Sequence, residues 1–114
     1  MTFLSSEAAK YNMATGLKNA GDIINDVLPM VQFSIIESCA VYDECAIYAP
    51  FVKAAKPVFR IEYPDGAPGN VAISKVMRLC TTAGSAGMSL AIKSQSLDGW
   101  VQYCDVTTAT TSSE

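Results

Sequence analysis

The chain has 114 residues, enough for one domain or a part of one. Half of them are hydrophobic and only 17% are charged, which excludes disorder for the bulk of the chain. A net charge of -3 with no basic cluster excludes a grip on nucleic-acid phosphate, and the complete lack of histidine excludes Ser-His-Asp and Cys-His catalysis and any His-ligated zinc.

The elements follow in chain order. Residues 1–12 lack the basic start and long apolar run of a signal peptide. No apolar run reaches the roughly 20 residues that span a bilayer. Residues 13–19, MATGLKN, predict a strand that ends in polar residues, with Gly16 suited to a crowded barrel wall. Asp22 is placed to cap a short helix over IINDVL, which Pro29 stops. Residues 33–37, FSIIE, predict a second strand. After a polar, Cys-bearing loop comes an apolar segment, 46–55, in which Pro50 fits the first turn of a helix starting near Ala49. Residues 57–63, PVFRIEY, predict a third strand, and PDGAPG at 64–69 must be a loop. Asn70 then caps a helix reaching about Thr82, with Val71, Ile73, Val76, Met77, Leu79 and Cys80 available for burial. Gly84 and Gly87 flank a turn before a fourth strand, MSLAIK, at 88–93. Residues 97–104 begin a final helix or turn, and the Ser/Thr-rich tail 107–114 reads as flexible. One domain over 1–106 and a short tail is the resulting organisation.

Strand and helix thus alternate four times, which is the rhythm of an α/β fold built from βα units around a parallel sheet. Each strand carries polar residues at its C-terminal end: Lys18 and Asn19, Glu37, Glu62 and Tyr63, then Lys93. In parallel α/β architecture every βα loop opens at that end, so sites gather there. Two carboxylates on neighbouring strand ends are the equipment of glycoside hydrolysis, while a Lys–Glu pair closing the sheet is the structural alternative. A complete (β/α)₈ barrel needs roughly 200 residues or more. Four units are a partial barrel, a partner for another chain, or a small open sandwich.

Four cysteines stand at 39, 45, 80 and 104, with no C-x-x-C pair, so a structural zinc site is not expected. Three disulfide connectivities are open. Cys39–Cys45 with Cys80–Cys104 is favoured because each closes a local loop, and it implies an oxidising compartment. The alternative is four buried thiols.

The run GLKNAGDIINDVLPMVQFSIIESCAVYDECAIYAPFVKAAKPVFRIEYP, followed by MSLAIKSQSLDGWVQYCD, resembles the C-terminal half of glycoside hydrolase family 114, the endo-alpha-1,4-polygalactosaminidase family. The elements that carry the resemblance are G-L-K-N, E-x-C, Y-x-E-C, I-E-Y and L-D-G-W ending in a Cys, in that order. The resemblance implies a partial (β/α)₈ TIM barrel containing its fifth to eighth strands. It implies hydrolysis of alpha-linked galactosamine- or galactose-type polysaccharide, alpha-galactosidase activity included, in a secreted or cell-surface setting.

It places the catalytic general acid/base at Glu37, makes Lys18, Asn19, Glu62 and Tyr63 substrate-binding, and calls for no cofactor and no metal. Tyr42 and Trp100 are further candidates for sugar contact, with packing the stronger reading for Trp100. The family's second catalytic carboxylate, an Asp at the end of the fourth strand, has no counterpart in this sequence, so the chain alone is expected to be inactive. A non-catalytic carbohydrate-binding or self-associating module, held together through unpaired sheet edges, is the alternative function.

Overall fold

The computed structural model describes residues 1–112. Four strands, β1 (Gly16–Lys18), β2 (Phe33–Glu37), β3 (Val58–Glu62) and β4 (Ser89–Ile92), lie side by side in chain order, and every neighbouring pair is parallel. Short helices α2 (Ile24–Val27), α3 (Ala49–Lys53) and α4 (Ile73–Cys80) make the crossovers. Pro50 sits in the first turn of α3, where its missing N–H costs nothing. This is the expected α/β fold, four βα units of a partial barrel.

Side chains alternate strictly across the sheet, and the alternation divides the molecule into two faces. Leu17, Ile36 and Val58 point to the helix side, where they pack with Ile24, Val27, Val31, Tyr48 and Phe51 into one core. Ile92 and Trp100 join Val71 and Val76 in a second core under α4. On the opposite, barrel-side face Phe33 meets Phe59 edge-on, with ring centroids 6.1 Å apart. The Phe33 ring also fills the space over Gly16, where a Cβ would stand only 2.2 Å from it. A side chain at that position would have to displace the Phe33 ring.

Several local expectations are corrected. Residues 97–104 form no helix. They contribute β5 (Trp100–Gln102), which meets β4 antiparallel through Ile92 and Gln102. The segment expected to be a flexible tail turns back as β6 (Thr108–Thr110) and pairs antiparallel with β5; Ser113 and Glu114 of that tail lie outside the described residues. The reason is legible in the pattern: Trp100 and Gln102 are buried and Val101 between them is not fully so, a period of two rather than 3.6. Helix α4 starts at Ile73 with Ala72 as its N-cap, not at Asn70, whose N–H is used by Gly66 O in the preceding loop. Asp22 lies in the first turn of a 3₁₀ segment (Gly21–Ile23) leading into α2 and makes no side-chain cap. An unexpected helix, α1 (Thr2–Ala9), precedes β1 and buries no residue.

The hairpin also changes the edges of the sheet. A bare four-stranded half-barrel would end at β4, but here β5 and β6 lie beyond it, so among the described residues the two outer edges of the sheet are those of β1 and β6. Disulfides join Cys39 to Cys45, in the loop leaving β2, and Cys80 to Cys104, from the end of α4 to the hairpin.

Candidate active site

The C-terminal ends of β1 to β3 converge on one carboxylate. Asn19 and Ser38 follow β1 and β2 directly with φ of 53° and 58°, so the chain turns out of the sheet at once. The ladder nevertheless extends one residue past each strand: Asn19 N–H donates to Ile35 O and Ser38 N–H to Ile61 O, both at 2.8 Å. Those bonds hold the last side chains of the strands in register.

Alternation then places Lys18, Glu37 and Tyr63 on the barrel side. Tyr63 hydroxyl donates to Glu37 Oε1 at 2.6 Å. Lys18 Nζ stands 3.0 Å from Glu37 Oε2. Asn19 engages Glu37 twice: its Oδ1 accepts the Glu37 backbone N–H at 3.0 Å, and its Nδ2 reaches Oε2 at 3.5 Å. The left-handed backbone at Asn19 is what lets a residue of the opposite parity join the group.

This environment favours the charged form of Glu37. The Tyr63 hydroxyl, then the Lys18 ammonium, with help from Asn19, hold its carboxyl below the usual glutamate range, against the opposing effect of partial burial. Tyr63 is in turn pushed up to about 12, first by burial and then by its bond to Glu37. An open cleft of about 460 Å³ adjoins Glu37 on the β1–β2 side, lined among others by Asn19, Asp22, Tyr42, Glu44 and Tyr48. Tyr42 is 68% exposed there, free to meet a ligand.

Glu62 does not join them, and its expected place at the substrate face is corrected. It is one residue from Tyr63 and so points to the helix side, 1% exposed. Its Oε1 accepts from Arg60 Nη2 at 3.1 Å and from Ala40 N–H at 3.0 Å. Arg60, 2% exposed, also donates through Nε to Cys39 Sγ at 3.3 Å and through Nη1 to Leu79 O at 3.1 Å. The guanidinium thus shares with the Thr82 hydroxyl a carbonyl of the last turn of α4. Arg60 was missed as a structural anchor. Its signal was in the parity of V-F-R-I-E-Y, which sets Arg60 and Glu62 on the face of buried Val58 and Tyr63 on the face of Phe59.

Trp100 packs into the core under α4 and takes no part in the rim. Lys93 Nζ donates to Asp98 O at 2.7 Å in the loop before β5. The donor atoms of Cys39, Cys45 and Glu62 lie within 4.8 Å of one another, but both sulfurs are consumed in their disulfide, so no thiolate pair is available to a metal.

An accessible, ionised carboxylate beside an open cleft can accept a proton, attack an electrophilic carbon, or stabilise a developing cation. The sequence profile of glycoside-hydrolase family GH114 matches residues 1–109. No curated protein matches the chain. A crystal structure of Aspergillus fumigatus Ega3 in complex with galactosamine is similar to it with a TM-score of 0.80 and 48% sequence identity, covering 90% of this chain and 42% of that one. The chain therefore spans less than half the length of that solved relative. With a family match that runs from α1 into β6, the chain belongs to glycoside-hydrolase family GH114.

Proposed function

We propose that this chain supplies the Glu37-bearing half of a glycosidase barrel that cleaves alpha-linked galactosamine-type polysaccharide. The observation that carries the reading is the strand-end cluster: in a chain of this family, Glu37 ends a central parallel strand with both its oxygens held by donors and a cleft beside it. Galactosamine is the sugar bound by the similar Aspergillus protein, and its class is the substrate assigned here.

Glu37 is the general acid/base. As the cluster stands it is poised in the ionised form, ready to activate water or take a proton. Acting as acid requires its pKa to rise, which a second carboxylate brought close by the rest of the barrel would cause. Glycosidic cleavage needs two carboxyl groups, about 5–5.5 Å apart in retaining enzymes and about 6.5–9.5 Å in inverting ones. Glu62 cannot be the second, because it is sealed against Arg60 on the other face. Asn19 lines the cleft beside Glu37, Lys18 and Tyr63 hold its carboxylate, and Tyr42 offers an aromatic face for the sugar. The two disulfides fit a secreted or cell-surface setting.

The test is reconstitution. The chain alone is expected to release no reducing ends from partially deacetylated alpha-1,4-galactosamine polymer. Joined to the part of the Aspergillus fumigatus Ega3 chain that it does not cover, it is expected to turn the polymer over, and Glu37→Gln is expected to lower kcat/KM about 10²–10⁴-fold. Full activity of the Glu37→Gln hybrid would overturn the assignment. The unpaired outer side of β1 and the half-exposed Phe59 on the barrel side favour a second reading, a self-associating module. A monodisperse dimer by light scattering supports that reading, and a monomer removes it.

A further inference from the structure

The two oxygens of Glu37 are not equivalent. Oε1 meets the Tyr63 hydroxyl at 2.6 Å, a short bond from a ring carried at the end of β3. Oε2 meets Lys18, whose side chain is 62% exposed and hangs on four rotatable bonds, and Asn19 at a long 3.5 Å. Asn19 lines the cleft together with Glu37, whereas neither Tyr63 nor Lys18 does. Oε1 is therefore anchored by a ring outside the cleft, and Oε2, the oxygen shared with the cleft-lining Asn19, is held more loosely.

We propose that Tyr63 is a positioning residue: its hydroxyl pins Oε1 of Glu37, fixes the carboxylate plane, and leaves Oε2 as the oxygen that meets the substrate. This deepens the assignment of Glu37 as the acid/base and rests on it. It gives Tyr63 a role through the carboxylate in place of direct hydrogen bonding to the substrate, since its hydroxyl is already spent on Glu37.

The division of labour follows from the strength of the two attachments. An O–H···O⁻ bond of this length is among the stronger hydrogen bonds, and the aromatic stem has two torsions. A largely exposed Lys–Glu pair is weak and screened by salt. Lys18 can swing aside when a proton or a sugar oxygen approaches Oε2; Tyr63 stays. The groups facing Glu37 from the neighbouring elements are Lys18 on β1, Tyr63 after β3, and, around the cleft, Asp22, Tyr42, Glu44 and Tyr48. Tyr63 and Lys18 are the ones bonded to it and the ones that dominate its charge state.

The experiment is a carboxyl-carbon NMR titration of Glu37 in this chain, with a spectrophotometric titration of Tyr63 alongside, neither of which needs turnover. The Glu37 midpoint is expected below the ordinary value of 4.5, and Tyr63→Phe is expected to move it upward while the thermal transition persists. Lys18→Met is expected to move it upward as well, with a dependence on salt that Tyr63→Phe does not share. In the reverse direction, Glu37→Gln is expected to bring the Tyr63 titration down from about 12. A Glu37 midpoint unchanged by Tyr63→Phe, in a variant that still folds, would overturn the proposal. Should Tyr63→Phe fail to fold, the Glu37→Gln variant decides it: an unmoved Tyr63 titration overturns the pairing. Inactivity of the reconstituted hybrid bears on the assigned function and leaves these titrations standing.

Discussion

Two cation–carboxylate pairs stand at the same end of the same sheet and behave in opposite ways. On the barrel side, Lys18 and Glu37 are 62% and 27% exposed and are joined by Tyr63 and Asn19. On the helix side, Arg60 and Glu62 are each 1% exposed in their side chains and bridge a disulfide loop to the end of α4. Strand parity separates them. The carboxylate proposed to meet a substrate keeps solvent access and an exposed lysine beside it. One that braces the scaffold is desolvated and takes a guanidinium, whose flat fork can satisfy several acceptors at once.

The sharpest way to break this contrast is Arg60→Leu. It leaves Glu62 buried and unpaired, and is expected to cost about 3–5 kcal/mol in urea unfolding, with much of the loss recovered in Arg60→Met with Glu62→Leu. Next is the disulfide that touches both regions, since Cys39–Cys45 closes the loop leaving Glu37 and accepts from Arg60 Nε. Replacing both cysteines by serine is expected to cost about 2 kcal/mol on the chain-entropy estimate for so short a loop, read in the same unfolding experiment. Lys18→Met, on the open side, is expected to cost only about 0.2–1 kcal/mol.

The smallest effects lie in the pH profile of the melting temperature. Glu37 is held below its ordinary value in the folded chain, so its stabilisation is complete above 4.5 and is lost as pH falls through the lowered folded value. Glu37→Gln is expected to flatten that acid limb. Tyr63 is raised to about 12 in the folded chain, so its contribution is complete below the ordinary value of 10 and fades as pH rises toward 12. Tyr63→Phe is expected to flatten the alkaline limb.

Much of the scaffold was legible. The run FSIIE, the Pro-Gly-rich loop after Tyr63 and the rhythm of apolar segments all point to βα units, and β1 to β4 lie within the expected segments. The cluster around Glu37 was legible in part: Lys18, Asn19, Glu37 and Tyr63 were singled out as strand-end polar residues, and the fold brings them together. Glu62 was grouped with them because it also ends a strand, and counting strand ends ignores which way each side chain points. The final hairpin was missed for a related reason, since polar, Ser/Thr-rich composition hid a short period-two pattern that pairs only because β4 offers it an edge.

The order of residues by itself determined the α/β class and the kinship to family GH114, and it favoured a crowded wall at Gly16 and local closure of the cysteine loops without settling either. The first two depend on short-range pattern and motif order, which are local in the chain. Tertiary structure alone decided that Glu37 carries one anchored and one loosely held oxygen, and that Glu62 belongs to Arg60. Both follow from strands far apart in sequence being brought into register, where a shift of one residue moves a charged side chain from an open rim to a sealed interior.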